Sequence, residues 1–377
     1  MKKLKFSVKR SPKEEFEVYV GRNIFPEVAQ ILGREKFANK YAIICDLNVE
    51  ALFGDKLLSE LKKENLNAEL ISFPAGEENK NLKTVEGILD ELLEKGFDRK
   101  SAVIALGGGI STDIAGFVAS IFMRGIPYVS VPTTLTSVDS AIGGKTGVDL
   151  AEGKNLAGTF WQPKKVFYDS WILKTLPGYE MRNGLPEIIK HGLIFDKDLL
   201  CFIESINDDL YTYDEEKIDE LCSDMEELIL KNVEVKAKII CEDERESELR
   251  KALNYGHTLG HAIESLSNYS IPHGIAVIKG MNFAGKLSVE LGYMKKEEFN
   301  SQKIYFQLLG YFHDLELPKF SVDQYIAKMM RDKKSKDGKM QFVLLEKIGK
   351  IKTISGKVGI EVEEKIVRKV LKEMLTK

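Results

Sequence analysis

The strongest constraint on the fold is a short segment, 101–106, that is apolar on both faces and runs directly into Gly107–Gly109. A strand without alternating polar residues must be covered on both sides, which is typical of a parallel sheet between layers of helices. Other strand-like and helix-like segments alternate along the first half of the chain. They are 41–46, 68–73, 82–96, 110–121 and 128–131. The pattern therefore predicts an α/β domain with a parallel sheet.

The periodicity changes after Pro177, and from about residue 179 onward it is almost entirely helical. A chain of 377 residues is too long for one compact core, so two domains are expected. We therefore predict an α/β domain over residues 1–177 and a mainly α-helical domain over residues 178–377. Within the second domain, only 342–345 and 350–354 suggest strands, which we expect to pair.

The charge balance excludes several classes of partner. The net charge is −3 and the pI is about 6.1, so the chain as a whole does not attract nucleic acid or a membrane surface. No apolar run approaches the roughly 18 residues that a membrane helix needs. The four cysteines lack Cys-x-x-Cys spacing, which favours free thiols and a cytoplasmic location. An anionic substrate would need a local pocket of positive charge.

Glycine-rich and hydroxyl-rich segments follow two of the predicted strands. The turn Gly107–Gly109 would let backbone N–H groups and a helix N-terminus approach a phosphate, although it is not the Gly-x-Gly-x-x-Gly fingerprint. Asp46, at the end of an earlier strand, could accept hydrogen bonds from a ribose or cap a helix. Residues 133–139 could line a nucleotide or a sugar. Two glycine–lysine pairs, at Lys145 and Lys154, indicate one side of an anion pocket.

Three of the five histidines lie close together, at positions 257, 261 and 273. His257 and His261 are four apart in a helical segment, so their side chains project from one face and could share a metal ion or a substrate group. An isolated pair of this kind is more often a polar helix face, and that alternative stays open. Glu187, beside two isoleucines, could be a hard ligand for zinc or an ion-pair partner of Lys190.

A series of motifs extends through both halves of the chain. They are Gly-Gly-Gly-Ile-Ser-Thr-Asp at 107–113, Phe-Met-Arg-Gly at 122–125, the segment 132–147, Gly-Lys-Asn at 153–155, Glu-Ile-Ile-Lys at 187–190, Leu-Asn-Tyr-Gly-His-Thr-Leu-Gly-His at 253–261 and His-Gly at 273–274. In this order, from about residue 16 to residue 350, the chain resembles the 3-dehydroquinate synthase family of the sugar-phosphate cyclases. The resemblance implies a Rossmann-like N-terminal domain, a mainly helical C-terminal domain, bound NAD, and one divalent metal, zinc or cobalt, in the cleft between them.

The resemblance also implies roles that pattern alone cannot assign, since Lys236, Glu246 and Arg250 lie among other charged residues. The metal would be bound by Glu187, His257 and His273, while His261 would face the substrate phosphate instead of the metal. The substrate would be held or oriented by Asp139, Lys145, Asn155, Lys190, Lys236, Glu246, Arg250 and Asn254. NAD would be contacted by Asp46, Asn48, Glu77, Lys80, Gly108, Gly109, Asp113, Thr133, Thr134, Lys145 and Lys154. Arg124 would reach the phosphate from a neighbouring subunit, which implies a homodimer.

Two segments fit the family less closely. Pro186 stands where the family more often has alanine, immediately before Glu187. Because proline suits the first turn of a helix, we expect Pro186 to open this helix and to be harmless. The segment Asp332–Lys334 matches less distinctively.

The activity that the resemblance implies is that of a lyase of the shikimate pathway, which leads to chorismate and the aromatic amino acids. It would convert 3-deoxy-D-arabino-heptulosonate 7-phosphate to 3-dehydroquinate and phosphate by transient oxidation with NAD, phosphate elimination, reduction, ring opening and aldol closure. The alternatives are another sugar-phosphate cyclase, of the 2-deoxy-scyllo-inosose or valiolone synthase type, and a metal-dependent polyol dehydrogenase. Arg250 with Lys145 and Lys236 favours a substrate that carries a carboxylate.

Overall fold

One parallel sheet forms the centre of the N-terminal half. In a computed structural model of the chain, which describes residues 15–174, 176–210, 218–331 and 340–376, six strands of this sheet pair in parallel throughout. The strands of the described residues are Glu17–Gly21 (β1), Lys40–Asp46 (β2), Ala68–Phe73 (β3), Ser101–Gly107 (β4), Tyr128–Pro132 (β5), Lys145–Leu150 (β6), Gly153–Phe160 (β7), Lys165–Asp169 (β8), Met340–Phe342 (β9), Leu345–Lys347 (β10), Lys350–Ile351 (β11) and Ile360–Val362 (β12). The order across the sheet is β1-β8-β5-β4-β2-β3, and every residue of β4 is buried. The predicted α/β fold with a parallel sheet is confirmed.

Helices cover the sheet and make up most of the chain after Gly178, as the sequence predicted. The α-helices of the described residues are Phe25–Glu35 (α1), Leu47–Val49 (α2), Asp55–Lys63 (α3), Leu82–Glu94 (α4), Gly109–Ile121 (α5), Leu135–Ser140 (α6), Ser170–Lys174 (α7), Gly178–Ile194 (α8), Lys197–Ser205 (α9), Asn207–Leu210 (α10), Ile218–Glu242 (α11), His257–Leu266 (α12), His273–Glu290 (α13), Lys296–Leu308 (α14), Val322–Arg331 (α15) and Glu364–Leu375 (α16). None of the described helices has the length and apolar character needed to cross a membrane.

The strand pair expected near the C-terminus is only partly right. β10 pairs with β11, but Phe342 belongs to β9, which pairs with β12. The segment Asp332–Lys334, which matched the family less distinctively, lies outside the described residues.

The strand order creates a crevice at the centre of the sheet. From β2 the chain moves outward to β3 on one side, and from β4 it moves outward to β5 and β8 on the other. Ligands of doubly wound sheets bind at such a reversal, outside the carboxyl ends of the strands. Asp46 ends β2 and Gly107 ends β4, so both residues flank the crevice. Gly107 has a φ of +144°, and a side chain there would collide with Ser111.

Three clusters of buried apolar side chains hold the layers together. Ile43 and Ile104 belong to the cluster on one face of the sheet, and Ile44 and Val103 to the cluster on the other, as alternation along a strand requires. The third cluster joins Tyr168 of β8 to the C-terminal helices. The two halves of the chain therefore share a core.

Pro186 lies in the middle of α8, not in its first turn as the sequence led us to expect. A proline at this position cannot donate the hydrogen bond that the carbonyl of Arg182 would otherwise accept. The hydroxyl of Tyr311 donates to that carbonyl at 2.8 Å and so replaces the missing N–H. The helix therefore continues for about two turns beyond Pro186 and carries Glu187 and Lys190 into the interior.

We expect the hydroxyl of Tyr311 to stabilise the protein because residue 186 is proline. Tyr311→Phe should lower the free energy of unfolding by about 1 to 3 kcal/mol, since the carbonyl of Arg182 loses its donor. In a Pro186→Ala background the alanine N–H can donate instead, and the same change should cost less than about 1 kcal/mol. Urea unfolding of the two single variants and the double variant measures this coupling.

Tyr325→Phe is a matched control for this cycle. The hydroxyl of Tyr325 also donates to a carbonyl at 2.8 Å, that of Pro318, which lies outside α8. Tyr325→Phe should lower the free energy of unfolding by the same amount with proline or alanine at position 186. If Tyr311→Phe also cost the same in both backgrounds, the hydroxyl would not be a substitute for the missing N–H.

Candidate active site

Three helices bring a carboxylate and two imidazoles to one point. Glu187 comes from α8, while α12 and α13 begin with His257 and His273. The ligand atoms of the three side chains lie within 4.8 Å of one another. Nε2 of each histidine is 3.3 Å from Oε1 of Glu187. The structure therefore brings together the three residues that the family resemblance assigned to a metal.

The donor set and its spacing fit a divalent metal. Tetrahedral coordination at about 2.0 to 2.2 Å separates neighbouring ligand atoms by about 3.4 Å. Oε1 of Glu187 lies 3.3 Å from Nε2 of each histidine, and all three ligand atoms lie within 4.8 Å of one another. Two imidazoles and one carboxylate leave a fourth position open, as in catalytic zinc sites.

Hydrogen bonds on the far side of each ring orient the two histidines. Nδ1 of His257 faces the carbonyl oxygen of Tyr255 at 3.2 Å, and Nδ1 of His273 faces Oε1 of Glu264 at 3.3 Å. Because both partners only accept, each Nδ1 carries a hydrogen and each Nε2 is directed at the metal position. Glu187, His257 and His273, with Tyr255 and Glu264, form the candidate metal-binding group.

His261 lies beside this group but does not join it. Its ring centre is 5.3 Å from that of His257 and 6.4 Å from that of His273, and its side chain is exposed. The pair His257 and His261 therefore does not form the ion site that its spacing suggested. The exposed position of His261 leaves it able to contact a bound substrate.

Buried charges surround Glu187. The ammonium of Lys190 pairs with Oε2 of Glu187, and both side chains are buried. Burial alone would raise the pKa of Glu187, but Lys190 and His257 outweigh it, and the pKa lies well below its usual value. Glu187 is therefore ionised, as a metal ligand must be. Burial lowers the pKa of His257 to about 4, so this imidazole is neutral at pH 7.

His273 differs from His257 because two carboxylates face it. Burial would lower its pKa, but hydrogen bonds with Glu187 and Glu264 raise the pKa to about 10. His273 therefore shares a proton with Glu187 at neutral pH. A metal ion has to displace that proton, since it binds imidazole through an unprotonated nitrogen.

A second buried carboxylate, Asp139 of α6, organises further cations. Lys236 of α11 donates to the backbone carbonyl of Asp139 and to Oδ2, the latter at 2.8 Å. Burial lowers the pKa of Lys236, Asp139 opposes this shift, and the neighbouring cations Lys190 and Arg250 add to it. The three cations are thus close enough for their charges to repel one another.

The guanidinium of Arg250 is held by backbone carbonyl oxygens. It donates to the carbonyl of Gly143 at 3.0 Å and to that of Glu244. Gly143 has a φ of +110°, and a side chain there would collide with Arg250, so the contact requires glycine. Asp243 anchors the same loop by accepting the backbone N–H of Arg250 at 3.1 Å. Burial would raise the pKa of Asp243, but such backbone hydrogen bonds outweigh burial and hold the pKa below its usual value.

Lys145 and Asn254 meet at Glu246. Lys145, the first residue of β6, pairs with one carboxylate oxygen of Glu246, and the amide of Asn254 donates to the other at 2.5 Å. Lys145 is 51% exposed, so its ion pair with Glu246 is weak. A substrate anion can therefore compete with Glu246 for Lys145.

Several residues assigned to the cofactor contact one another near the hairpin of β6 and β7. The buried ammonium of Lys80 contacts Asp113 at 2.6 Å and the amide oxygen of Asn155 at 2.7 Å. Lys154 pairs with Glu77 at 3.0 Å. Asn155, which the sequence assigned to the substrate, thus adjoins the cofactor residues.

The glycine turn presents the N-terminus of α5 to the crevice. Gly108 precedes the helix, Gly109 begins it, and no side chain of the described residues caps it. Backbone N–H groups at such a helix start favour a phosphate. The N–H of Thr133 donates to the carbonyl of Gly107 at 2.9 Å, and Thr134 caps α6.

Asp46 acts as a helix cap, one of the two roles that the sequence left open. Its Oδ1 accepts the backbone N–H groups of Asn48 and Val49 at 3.0 and 3.1 Å. Its Oδ2 accepts the hydroxyl of Ser111 at 2.8 Å. Contacts of Asp46 and Asn48 with a ribose stay a prediction, which for Asp46 the second lone pair of Oδ2 permits.

Arg124 lies apart from these groups. It ends the short turn Phe122–Arg124 that follows α5, about 20 Å along the helix from Gly109, and its side chain is exposed. A contact between Arg124 and a substrate therefore stays a prediction that depends on a second subunit.

The sequence reasoning missed Glu264, His191 and Asp243. Glu264 is seven residues after His257 on α12, and this helical spacing could have identified it. His191 directly follows Lys190, but its partners come from α6 and α11, which no local pattern reveals. Asp243 follows α11 and binds the next loop, and only the folded chain identifies that contact.

Comparison with known proteins identifies the family of the chain. The family model described as 3-dehydroquinate synthase N-terminal matches residues 70–183, and the model described as 3-dehydroquinate synthase C-terminal matches residues 184–335. A 3-dehydroquinate synthase of Prochlorococcus marinus is 41% identical over 341 residues, which are 89% of this chain and 90% of that protein. The chain belongs to the 3-dehydroquinate synthase family.

The similarity extends over nearly the whole length of other proteins. The 3-dehydroquinate synthase of Thermodesulfovibrio yellowstonii is 41% identical over 361 residues, which are 95% of this chain and 97% of that protein. Among solved structures, a 2-deoxy-scyllo-inosose synthase complexed with carbaglucose-6-phosphate, NAD+ and Co2+ has a TM-score of 0.85 and 27% identity, covering 96% of this chain and 97% of that one. The 3-dehydroquinate synthase family therefore accounts for both halves of this chain, not only for its motifs.

We expect Glu264 to support metal binding by orienting His273. Glu264→Ala should weaken the affinity for Zn²⁺ by about 10- to 100-fold, because Nδ1–H of His273 loses its acceptor. Glu264→Gln, whose amide oxygen can still accept that hydrogen bond, should lie between the wild type and Glu264→Ala. Competition with a chromophoric chelator measures the three affinities.

Glu290→Gln, at the opposite end of α13 from His273, is the control and should leave the affinity unchanged. An unchanged affinity in Glu264→Ala would show that Glu264 does not orient His273.

Proposed function

We propose that this chain is a 3-dehydroquinate synthase, which converts 3-deoxy-D-arabino-heptulosonate 7-phosphate to 3-dehydroquinate and phosphate in the shikimate pathway. The observation that carries the proposal is the grouping of Lys190, Lys236 and Arg250 beside side chains that can bind a metal. In a chain of net charge −3, this local concentration of cations supports a substrate with both a carboxylate and a phosphate. The high identity to 3-dehydroquinate synthases over most of the chain supports the same reaction.

We propose NAD and one divalent metal, zinc or cobalt, as the cofactors. The helix start at Gly109, beside the crevice of the sheet, supports the binding of a dinucleotide phosphate. The convergence of Glu187, His257 and His273 supports the metal. When bound, NAD accepts and returns a hydride, and the metal polarises the substrate hydroxyl that is oxidised.

The side chains of this protein would bind and orient the substrate. Arg250 uses two of its five N–H donors for backbone carbonyl oxygens and keeps others for the substrate carboxylate. Lys236, held by Asp139, adds positive charge nearby, and Lys145 exchanges Glu246 for a substrate oxygen. Because protein groups already fix Arg250 and Lys236, these two side chains lose little freedom when the substrate binds.

His261 is suited to assist the loss of phosphate. Elimination removes a proton and the phosphate from adjacent carbons, and an oxygen of the departing phosphate can accept that proton. An N–H of the exposed His261 can donate to the phosphate as its C–O bond breaks, which stabilises the developing charge.

We further propose a homodimer in which Arg124 completes the site of the partner subunit. Its exposed position at the end of α5 supports a contact outside its own chain.

We also propose domains 1–177 and 178–377, since β8 ends at Asp169 and α8 begins at Gly178. The free thiols of all four cysteines support a cytoplasmic location.

Release of phosphate from the heptulosonate phosphate tests the proposed reaction. We expect release to require NAD and a divalent metal, without accumulation of NADH absorbance, because the hydride is returned in each turnover. A chelator should abolish release, and added Zn²⁺ or Co²⁺ should restore it.

Arg250→Ala should raise the KM for the heptulosonate phosphate at least about tenfold, because the substrate carboxylate loses a charged partner.

Three outcomes would contradict this assignment. Stoichiometric accumulation of NADH would indicate a polyol dehydrogenase. Turnover of a sugar phosphate that lacks a carboxylate would indicate another cyclase. Unchanged kinetics of Arg250→Ala would exclude Arg250 as the carboxylate site.

We expect mixed dimers of two inactive variants to regain activity. Arg124→Ala and Lys236→Ala each remove one group from every site of a homodimer. In a mixed dimer, one site receives Arg124 from one subunit and Lys236 from the other. Random association makes half of the dimers mixed, each with one intact site of two, so about a quarter of the wild-type activity should return. Co-expression of the two variants with different tags allows this measurement, and no recovery would place Arg124 outside the partner's site.

A further inference from the structure

Four buried polar side chains, Asn232, His191, Asp139 and Lys236, lie next to one another in that order. The imidazole of His191, in α8, is fully buried. Nδ1 lies 2.7 Å from the side-chain amide of Asn232 on α11, and Nε2 lies 3.4 Å from Oδ1 of Asp139 on α6. Oδ2 of Asp139 pairs with Lys236 at 2.8 Å. Because Asn232 and Lys236 are one turn apart on α11, these four side chains link three helices.

Three buried atoms of this series indicate where its hydrogens lie. With the amide oxygen of Asn232 facing Nδ1 of His191, Nε2 of His191, Oδ1 of Asp139 and Nδ2 of Asn232 have no hydrogen-bond partner among the described residues. Rotating the amide by half a turn places its N–H against Nδ1, which then accepts. The hydrogen of the neutral ring then lies on Nε2 and faces Oδ1 of Asp139 at 3.4 Å. The rotation therefore pairs Nδ2 of Asn232 with Nδ1 and directs a hydrogen towards Asp139. The amide oxygen of Asn232 is left without a partner, which costs less than an unpaired N–H.

We propose that His191 is a positioning residue of the active site, a neutral imidazole with its hydrogen on Nε2 that donates to Asp139 and accepts from Asn232. One oxygen of Asp139 is then fixed by His191 and the other by Lys236, so the carboxylate cannot rotate. Lys236 is in turn held by Oδ2 and by the backbone carbonyl of Asp139. The inference rests on the proposed function, because Lys236 is one of the cations that would bind the substrate.

The surroundings of His191 favour its neutral form. Burial lowers its pKa to about 4; Asp139 and Glu187 oppose this shift, and Lys190 and Lys236 add to it. A neutral imidazole has one N–H, and the carboxylate of Asp139 requires it on Nε2. His191 therefore acts through a hydrogen bond and not through a charge.

The ring ¹⁵N signals of histidine-labelled protein at pH 7, recorded without substrate, test this tautomer. The signal missing from His191→Gln identifies His191. If that variant does not fold, variants of the other four histidines identify it by exclusion. We expect a neutral ring with its hydrogen on Nε2. A hydrogen on Nδ1, alone or together with one on Nε2, would overturn the proposal.

His191→Gln and His191→Asn form a matched pair for kinetics. The amide nitrogen of glutamine can occupy the position of Nε2 and donate to Asp139, whereas asparagine reaches only the position of Nδ1. We expect His191→Asn to raise the KM for the heptulosonate phosphate about tenfold with a smaller change in kcat, and His191→Gln to recover most of that loss. Equal KM values for the two variants would overturn the positioning role.

The two measurements separate this inference from the proposed function. If the wild type releases no phosphate, the proposed function fails, while the ¹⁵N signals still decide the tautomer. If the wild type is active and His191 carries its hydrogen on Nδ1, the inference alone fails.

Discussion

Two buried carboxylates, Glu187 and Asp139, hold the charged groups of the site in place. Each is enclosed by helices, where an ionised group without a partner is costly, and each is paired with a buried lysine, Lys190 or Lys236. Glu187 also contacts the two imidazoles of the candidate metal-binding group. Removal of either carboxylate would therefore leave a buried ammonium without a counter-charge, and would disturb groups well beyond the one removed.

The fold could be predicted from the sequence because the parallel sheet is specified locally. β4 is apolar on both faces and ends in glycine, and a parallel sheet covered on both sides suits such a strand. The position of Pro186 could not be predicted in the same way. Its place in the middle of α8 depends on the hydroxyl of Tyr311, which is distant in sequence, and no helical propensity contains that information.

The site was predicted in part, since motifs name residues but spacing alone does not assign their roles. His257 and His261 have the spacing of a metal pair, yet Glu187 and His273 approach His257 and leave His261 exposed. The roles of Asp243 and His191 arise only when distant segments pack against them. For Asp46 the sequence allowed two roles, and the structure confirms only the helix cap. A ligand contact would use the same carboxylate, so neither role excludes the other.

The substitution of a tyrosine hydroxyl for a backbone N–H in α8 constrains how sequences of this kind can change over time. A chain with alanine at position 186 satisfies the carbonyl of Arg182 within the helix and does not need the hydroxyl. A chain that acquired Pro186 without Tyr311 would leave that carbonyl unpaired one turn from Glu187. Tyr311 is thus a permissive residue. A chain that acquires Tyr311 before Pro186 keeps the carbonyl paired throughout, whereas the reverse order passes through a less stable protein.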